Sequence, residues 1–175
     1  MRILLQGRTT EILRYELAAA KDREIGGILV GEHLEGDTFR IADISVQRMG
    51  GTSQHFMRDP AQHEEFLREF FVRTAYNYER YNYIGEWHSH TAGPALPSST
   101  DFVTMEGIVD NPAVGVAFAI LLVARLGRWS GLQLSATAFR SGQPPDSITL
   151  VADPDGGAQR FRQIHPRVRR RSTWI

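Results

Sequence analysis

The sequence predicts an α/β protein in which one mixed, curved β-sheet is sandwiched by helices. Three observations carry that expectation. Val114 to Val123 is a near-continuous apolar run of the kind found in a strand buried on both faces. Phe39 to Gln47 and Leu132 to Phe139 alternate apolar and polar residues, as half-buried strands do. Between such runs, apolar residues recur at helical spacing: Leu13, Leu17 and Ala20 in one stretch, Leu67, Phe71, Thr74 and Tyr78 in another.

In chain order, Arg2 to Leu5 reads as a short first strand. Thr9 and Thr10 are good N-cap types for a helix running to about Lys21. Glu24 to Val30 reads as a buried strand, and the Glu35-Gly36-Asp37 turn joins it to Phe39–Gln47. Met49 to Ser53 is a glycine-bearing loop. Asp59-Pro60 opens a long helix whose Leu67–Phe71 face should pack on the sheet, with proline at its favoured first position. Tyr83 to His90 is a strand and Thr91 to Pro97 its loop. Ser98 starts a third helix, with Phe102, Met105 and Val109 on one side, stopped before Pro112. Ser147 to Val151 adds an edge strand.

A length of 175 residues, 42% apolar and 23% charged, suits one domain with a proper core. We divide it into a folded domain, 1–155, and an Arg-rich C-terminal tail, 156–175, read as mobile. The chain has no cysteine, so disulfides, thiolate metal sites and cysteine nucleophiles are excluded. Its start is too polar for a secretory signal, and no run approaches a membrane span, so a cytoplasmic location is expected. Net charge is zero but uneven. Beyond Asp155 there is no acid, while Arg160, Arg162, Arg167, Arg169, Arg170 and Arg171 accumulate. Phosphate-backbone binding is one reading of that end. A solvated or partner-docking terminus is the one preferred, because aromatic interleaving is confined to Phe161 and Trp174. Truncation after Asp155 is expected to spare catalysis.

The chemistry concentrates in Gly85 to Phe102, GEWHSHTAGPALPSSTDF. His88 and His90 alternate onto one face of a strand and can grip one cation. Asp101 is a suitable third ligand for zinc, which then keeps an open position for water. Ser98-x-x-Asp101 is also a capping box, and the two readings are compatible. Glu86 shares the face of the histidines and is a candidate general base. His33, His55, His63 and His165 show no ligand spacing.

The spacing H-x-H-x7-S-x-x-D, with Glu24 upstream in REIGGILVGEH, resembles the JAMM (MPN+) metalloproteases over Gly7 to about Phe139. The wording YIGEWHSH…PSSTD looks most like their bacterial Mov34/PAD-1-type branch, some members of which sit in anti-phage CBASS operons. The resemblance implies the cytidine-deaminase-like JAB1/MPN fold and one zinc per chain on His88, His90 and Asp101. It implies Glu24 as general base and Ser98 as an oxyanion donor. The implied substrate is a ubiquitin-like protein joined to a target lysine, with adenylating and conjugating enzymes as neighbours. Processing of a modifier or sulfur-carrier tail, a metal-free MPN scaffold, and a RadC-like nucleic-acid protein are the alternatives. One departure is Thr91, where many members carry proline; it touches loop rigidity and not ligation.

Overall fold

The computed structural model describes residues 1–127, 131–157 and 161–165. Among the described residues, nine strands form one sheet in the order β7-β6-β5-β4-β2-β3-β1-β8, with β9 on β6. They are β1 (Arg2–Leu5), β2 (Gly26–His33), β3 (Thr38–Ile44), β4 (Tyr81–Ser89), β5 (Ala119–Leu126), β6 (Leu132–Arg140), β7 (Gln143–Ser147), β8 (Thr149–Ala152) and β9 (Phe161–Gln163). They are accompanied, among the described residues, by α1 (Gly7–Ala20), α2 (Glu64–Arg73) and α3 (Ser99–Val109). Parallel pairs (β1·β3, β1·β8, β4·β5, β6·β9) and antiparallel pairs coexist, so the sheet is mixed as expected.

β5 shows why its sequence is apolar throughout. Ile120, Leu122 and Ala124 join the core beneath α1, with Leu13, Leu17 and Ala20. Ala119, Leu121 and Val123 point the other way and pack with Met105 and Val109 of α3. Both faces are therefore covered by helices, as a period-2 strand with no polar face requires.

β4 contains the irregularity that aims the site. Its register against β2 shifts between Leu29↔Gly85 and Val30↔Tyr83, leaving Ile84 as an extra residue. Gly85 sits at φ 148°, and a Cβ there would lie 2.0 Å from the Ile120 carbonyl oxygen, so only glycine fits. The bulge puts both Ile84 and Trp87 into the α1-side core. Glu86 and His88 consequently fall on the opposite face, opposite Leu121 and Val123 of β5.

Several boundaries differ from the sequence reading. α1 begins at Gly7 with Gln6 as its N-cap, and the Thr10 hydroxyl donates back to the Gly7 carbonyl (2.7 Å) inside the first turn instead of capping. The long helix is broken into a 3-10 turn, Pro60–His63, and α2, which stops at Arg73; Ala75 and Tyr76 then take left-handed φ. Phe70 is the buried residue of α2, Leu67 and Phe71 are half-buried, and Tyr78 is exposed. The central strand starts at Ala119, five residues later than its apolar run, since Asn111–Gly115 forms a turn.

The stretch read as an Arg-rich tail is partly built into the sheet. Phe161–Gln163, including Arg162, pairs in parallel with Leu132–Leu134. The Gln163 side-chain amide then donates to the Ile148 carbonyl (2.6 Å) and accepts from the Leu150 N–H (3.0 Å). This joins the β6 side of the sheet to β8 and nearly closes the curve. Arg160, Arg167, Arg169, Arg170 and Arg171 lie outside the described residues. Among the described residues, no helix is long and apolar enough to cross a membrane.

Candidate metal centre and cleft

The ligand set begins with β4. His88 Nε2 and His90 Nε2 are 3.2 Å apart, and Asp101 Oδ1 and Oδ2 lie 3.5 and 4.0 Å from them respectively. One donor atom from each of the three residues falls within 4.8 Å of the other two. Two nitrogens on one tetrahedral zinc, at ~2.05 Å each, are roughly 3.3 Å apart, so this donor set fits such an ion.

His90 is also in the right tautomer. Its Nδ1 lies 2.9 Å from the Pro94 carbonyl oxygen, which can only accept, so Nδ1 carries the hydrogen. Nε2 is left with a lone pair facing His88, an arrangement that a cation between them satisfies.

Asp101 is brought in by the start of α3. Ser98 and Asp101 form the expected capping box: the Ser98 N–H and hydroxyl both donate to Asp101 Oδ2, at 2.6 and 2.7 Å, and the Asp101 N–H donates back to Ser98 Oγ at 3.2 Å. Burial acts to raise the Asp101 carboxyl, but His88 and the Ser98 donors outweigh it and hold it at about 2. A permanently ionised carboxylate suits ligation. The Ser98 hydroxyl, expected to serve an oxyanion, donates its hydrogen to Asp101 instead.

Glu24 enters from the chain leading into β2. Gly26 pairs with His88, and the Ser89 N–H donates to the Ile25 carbonyl (2.7 Å). The antiparallel register therefore sets Glu24 across from His90, on the face of both histidines. The Ile25 N–H is bonded in return by Ser89 Oγ at 2.9 Å, which locks that register. Gly51 packs against the Glu24 backbone so closely that a Cβ would lie 1.9 Å from its carbonyl oxygen. Burial pushes the Glu24 carboxyl up, against the pull of His90 and His88.

All five residues line one cleft of about 620 Å³. Its further wall carries groups the sequence reading did not single out. Arg58 Nε meets Glu86 Oε1 at 2.5 Å, and the Tyr83 hydroxyl is 3.5 Å from the same oxygen. Glu86 is thus a buried ion-pair partner; burial raises its carboxyl while Arg58 opposes. Gln47, 3% exposed, ties down the segment bearing Arg58 through the Met49 and Met57 carbonyls and the Asp59 N–H. A glutamine or arginine in a loop has no spacing signature, so neither was visible without the fold.

Of the unassigned histidines, His63 is 1% exposed between Ser45 Oγ (2.8 Å) and Gln47 Oε1 (3.3 Å), and His33 stacks on Phe39. His55 lines the cleft.

A mixed sheet between helices, with one histidine in a strand, a second just past that strand's end and a helix-borne aspartate over one cleft, is the architecture of the JAB/MPN class. The family model described as prokaryotic homologs of the JAB domain matches residues 8–136, and the chain belongs to that family. It is similar to two proteins named CD-NTase/cGAS isopeptidase. The one from Vibrio cholerae serotype O1 (strain ATCC 39315 / El Tor Inaba N16961) is 30% identical over 70% of this chain and 75% of that protein. The one from Enterobacter hormaechei subsp. hoffmannii (strain UCI 50) is 26% identical over 85% and 81%. Among solved structures, a Desulfitobacterium hafniense protein superposes with a TM-score of 0.62 at 18% identity, covering 87% of this chain and 94% of that one. A Salinibacter ruber protein gives 0.53 at 18% identity, covering 93% and 99%. Those two likenesses concern the fold alone.

Proposed function

We propose that this protein is a zinc-dependent isopeptidase that separates the C-terminus of a ubiquitin-like modifier, or of a CD-NTase joined in the same manner, from a target lysine. The names of its relatives support hydrolysis of an isopeptide bond. The observation that carries the reading is the placement of Glu24 opposite His90, on the face from which His88, His90 and Asp101 converge.

His88, His90 and Asp101 hold the metal, which when bound supplies Lewis acidity and a water acidic enough to ionise near neutral pH. Glu24 takes the proton of the attacking water and delivers it to the lysine nitrogen as the C–N bond breaks, so the leaving group departs as an amine. Its raised carboxyl makes it a stronger base for taking that proton up. The Ser98 hydroxyl, which donates to Asp101 at rest, turns its hydrogen to the developing oxyanion as the carbonyl is attacked, while the Ser98 backbone N–H stays on the carboxylate. Glu86, neutralised by Arg58, shapes the cleft without acting as base. All of these residues fall within the domain drawn at 1–155, and we place the enzyme in the cytoplasm beside the enzymes that make its conjugate.

The test is metal analysis together with cleavage of a CD-NTase C-terminal peptide joined to the ε-amino group of a fluorescent lysine peptide. A matching probe built on ubiquitin runs beside it. His88→Ala should lose both metal and cleavage. Wild-type protein that binds zinc stoichiometrically yet cleaves neither probe would refute the assignment and favour a binding scaffold.

A further inference from the structure

The wall of the cleft formed by Ser53 to Arg58 has no helical or strand bonding of its own. It is held at its ends. The Glu24 N–H donates to Thr52 (2.7 Å) at one end, and Gln47 holds the Met57 carbonyl (3.1 Å) at the other. Between those ends the segment turns back on Thr52, whose N–H donates to the His55 carbonyl (2.8 Å), Arg58 pairs with Glu86, and the Thr91 hydroxyl donates to the Ser53 carbonyl at 2.7 Å. Thr91 directly follows the ligand His90, so this bond ties the wall to the end of the metal-bearing strand. It spans 38 residues of sequence and stands where a proline would offer no donor.

We propose that Thr91 is a positioning residue, whose hydroxyl sets the wall at the distance from the ligand strand that an extended polypeptide tail needs to lie in the cleft. The inference rests on the isopeptidase reading only for its substrate. The bond is partly exposed and single, so its loss loosens the wall without unfolding the domain. The ligand geometry does not depend on it, because His90 is oriented separately through Pro94.

The experiment compares Thr91→Val, which keeps the branched shape and loses the donor, with Thr91→Ser, which keeps the donor. Amide hydrogen exchange over residues 50–58, zinc content, and KM and kcat on the lysine-linked CD-NTase peptide are measured for each. For Thr91→Val we expect about tenfold faster exchange in that segment and a KM about fivefold higher. Such factors correspond to the loss of one hydrogen bond worth about 1 kcal/mol. Zinc content and kcat should stay within twofold, and Thr91→Ser should match the wild type throughout. Unchanged exchange in Thr91→Val, a fall in kcat at constant KM, or Thr91→Ser behaving like Thr91→Val would each overturn the proposal. If the wild type cleaves no probe, the isopeptidase reading fails, while the exchange comparison still decides whether the strap exists.

Discussion

Ser89 and Ile25 exchange two hydrogen bonds, backbone to backbone at 2.7 Å and Ile25 N–H to Ser89 Oγ at 2.9 Å. Through this pair the residue between the two histidine ligands fixes the residue next to Glu24. Glu24 and the two histidines are thus held side by side by bonds that none of the three makes itself.

On the proposed reading, that arrangement lets Glu24 act as the base. Glu24→Gln keeps shape and hydrogen bonding but cannot take up the proton, so it should retain zinc while losing about 10²–10⁴ in single-turnover cleavage. Glu86→Gln should stay within a few-fold of the wild type. A dead Glu86→Gln beside an active Glu24→Gln would transfer the role to Glu86.

Ser98 holds both the helix start and the ligand. Ser98→Ala removes one donor to Asp101 Oδ2 and the acceptor for the Asp101 N–H. Thermal melting should show a loss of about 1 kcal/mol from the cap. Competition with a chelator should show zinc held roughly 10–100-fold more weakly. Unaltered zinc affinity would mean that the Ser98 N–H alone positions Asp101.

Acid sensitivity should arise away from the site as well as at Asp101, whose carboxyl is also held low. Burial of Glu32 acts to raise its carboxyl, but hydrogen bonds from Arg80 and Arg40 outweigh it and lower it. A folded-state pKa below the unfolded one means this stability is complete above about pH 4.3 and is lost as pH falls through the folded value. Melting temperature followed from pH 7 to pH 3 should drop in that window. Glu32→Gln should flatten the drop, and a profile identical to the wild type would exclude the network as its source.

The C-terminal segment should matter for stability and not for chemistry. Gln163→Ala loses two hydrogen bonds across the closure, roughly 2 kcal/mol together, or about 4–8 °C in Tm. Truncation after Asp155 removes β9 altogether and should cost at least as much. Truncation after His165 preserves β9, and Ile164 with its N–H bond to the Leu134 carbonyl (2.7 Å), so it should melt close to the full chain. Turnover per folded molecule should be alike in all three. Equal melting of the Asp155 truncation and the full chain would show that β9 adds nothing.

Local pattern alone specified the apolar central strand, the existence of three helices though not their bounds, and the stretch that brings His88, His90 and Asp101 together as a candidate metal set. These depend on period and on spacing: alternate residues of one strand share a face, and a capping box fixes its own turn wherever the helix lies. Pattern could not specify the face on which Glu86 and His88 emerge relative to Ile84, because a bulge at Gly85 reverses the alternation and is set by contact with β5. Nor could it place Phe161–Gln163, an arginine-bearing segment with little apolar pattern, whose pairing is decided by the open edge of β6 and by one glutamine amide. The Arg58–Glu86 pair and the Thr91–Ser53 bond join residues 28 and 38 positions apart. Contacts of that kind have no period to be read, and only the packed chain brings their partners within reach.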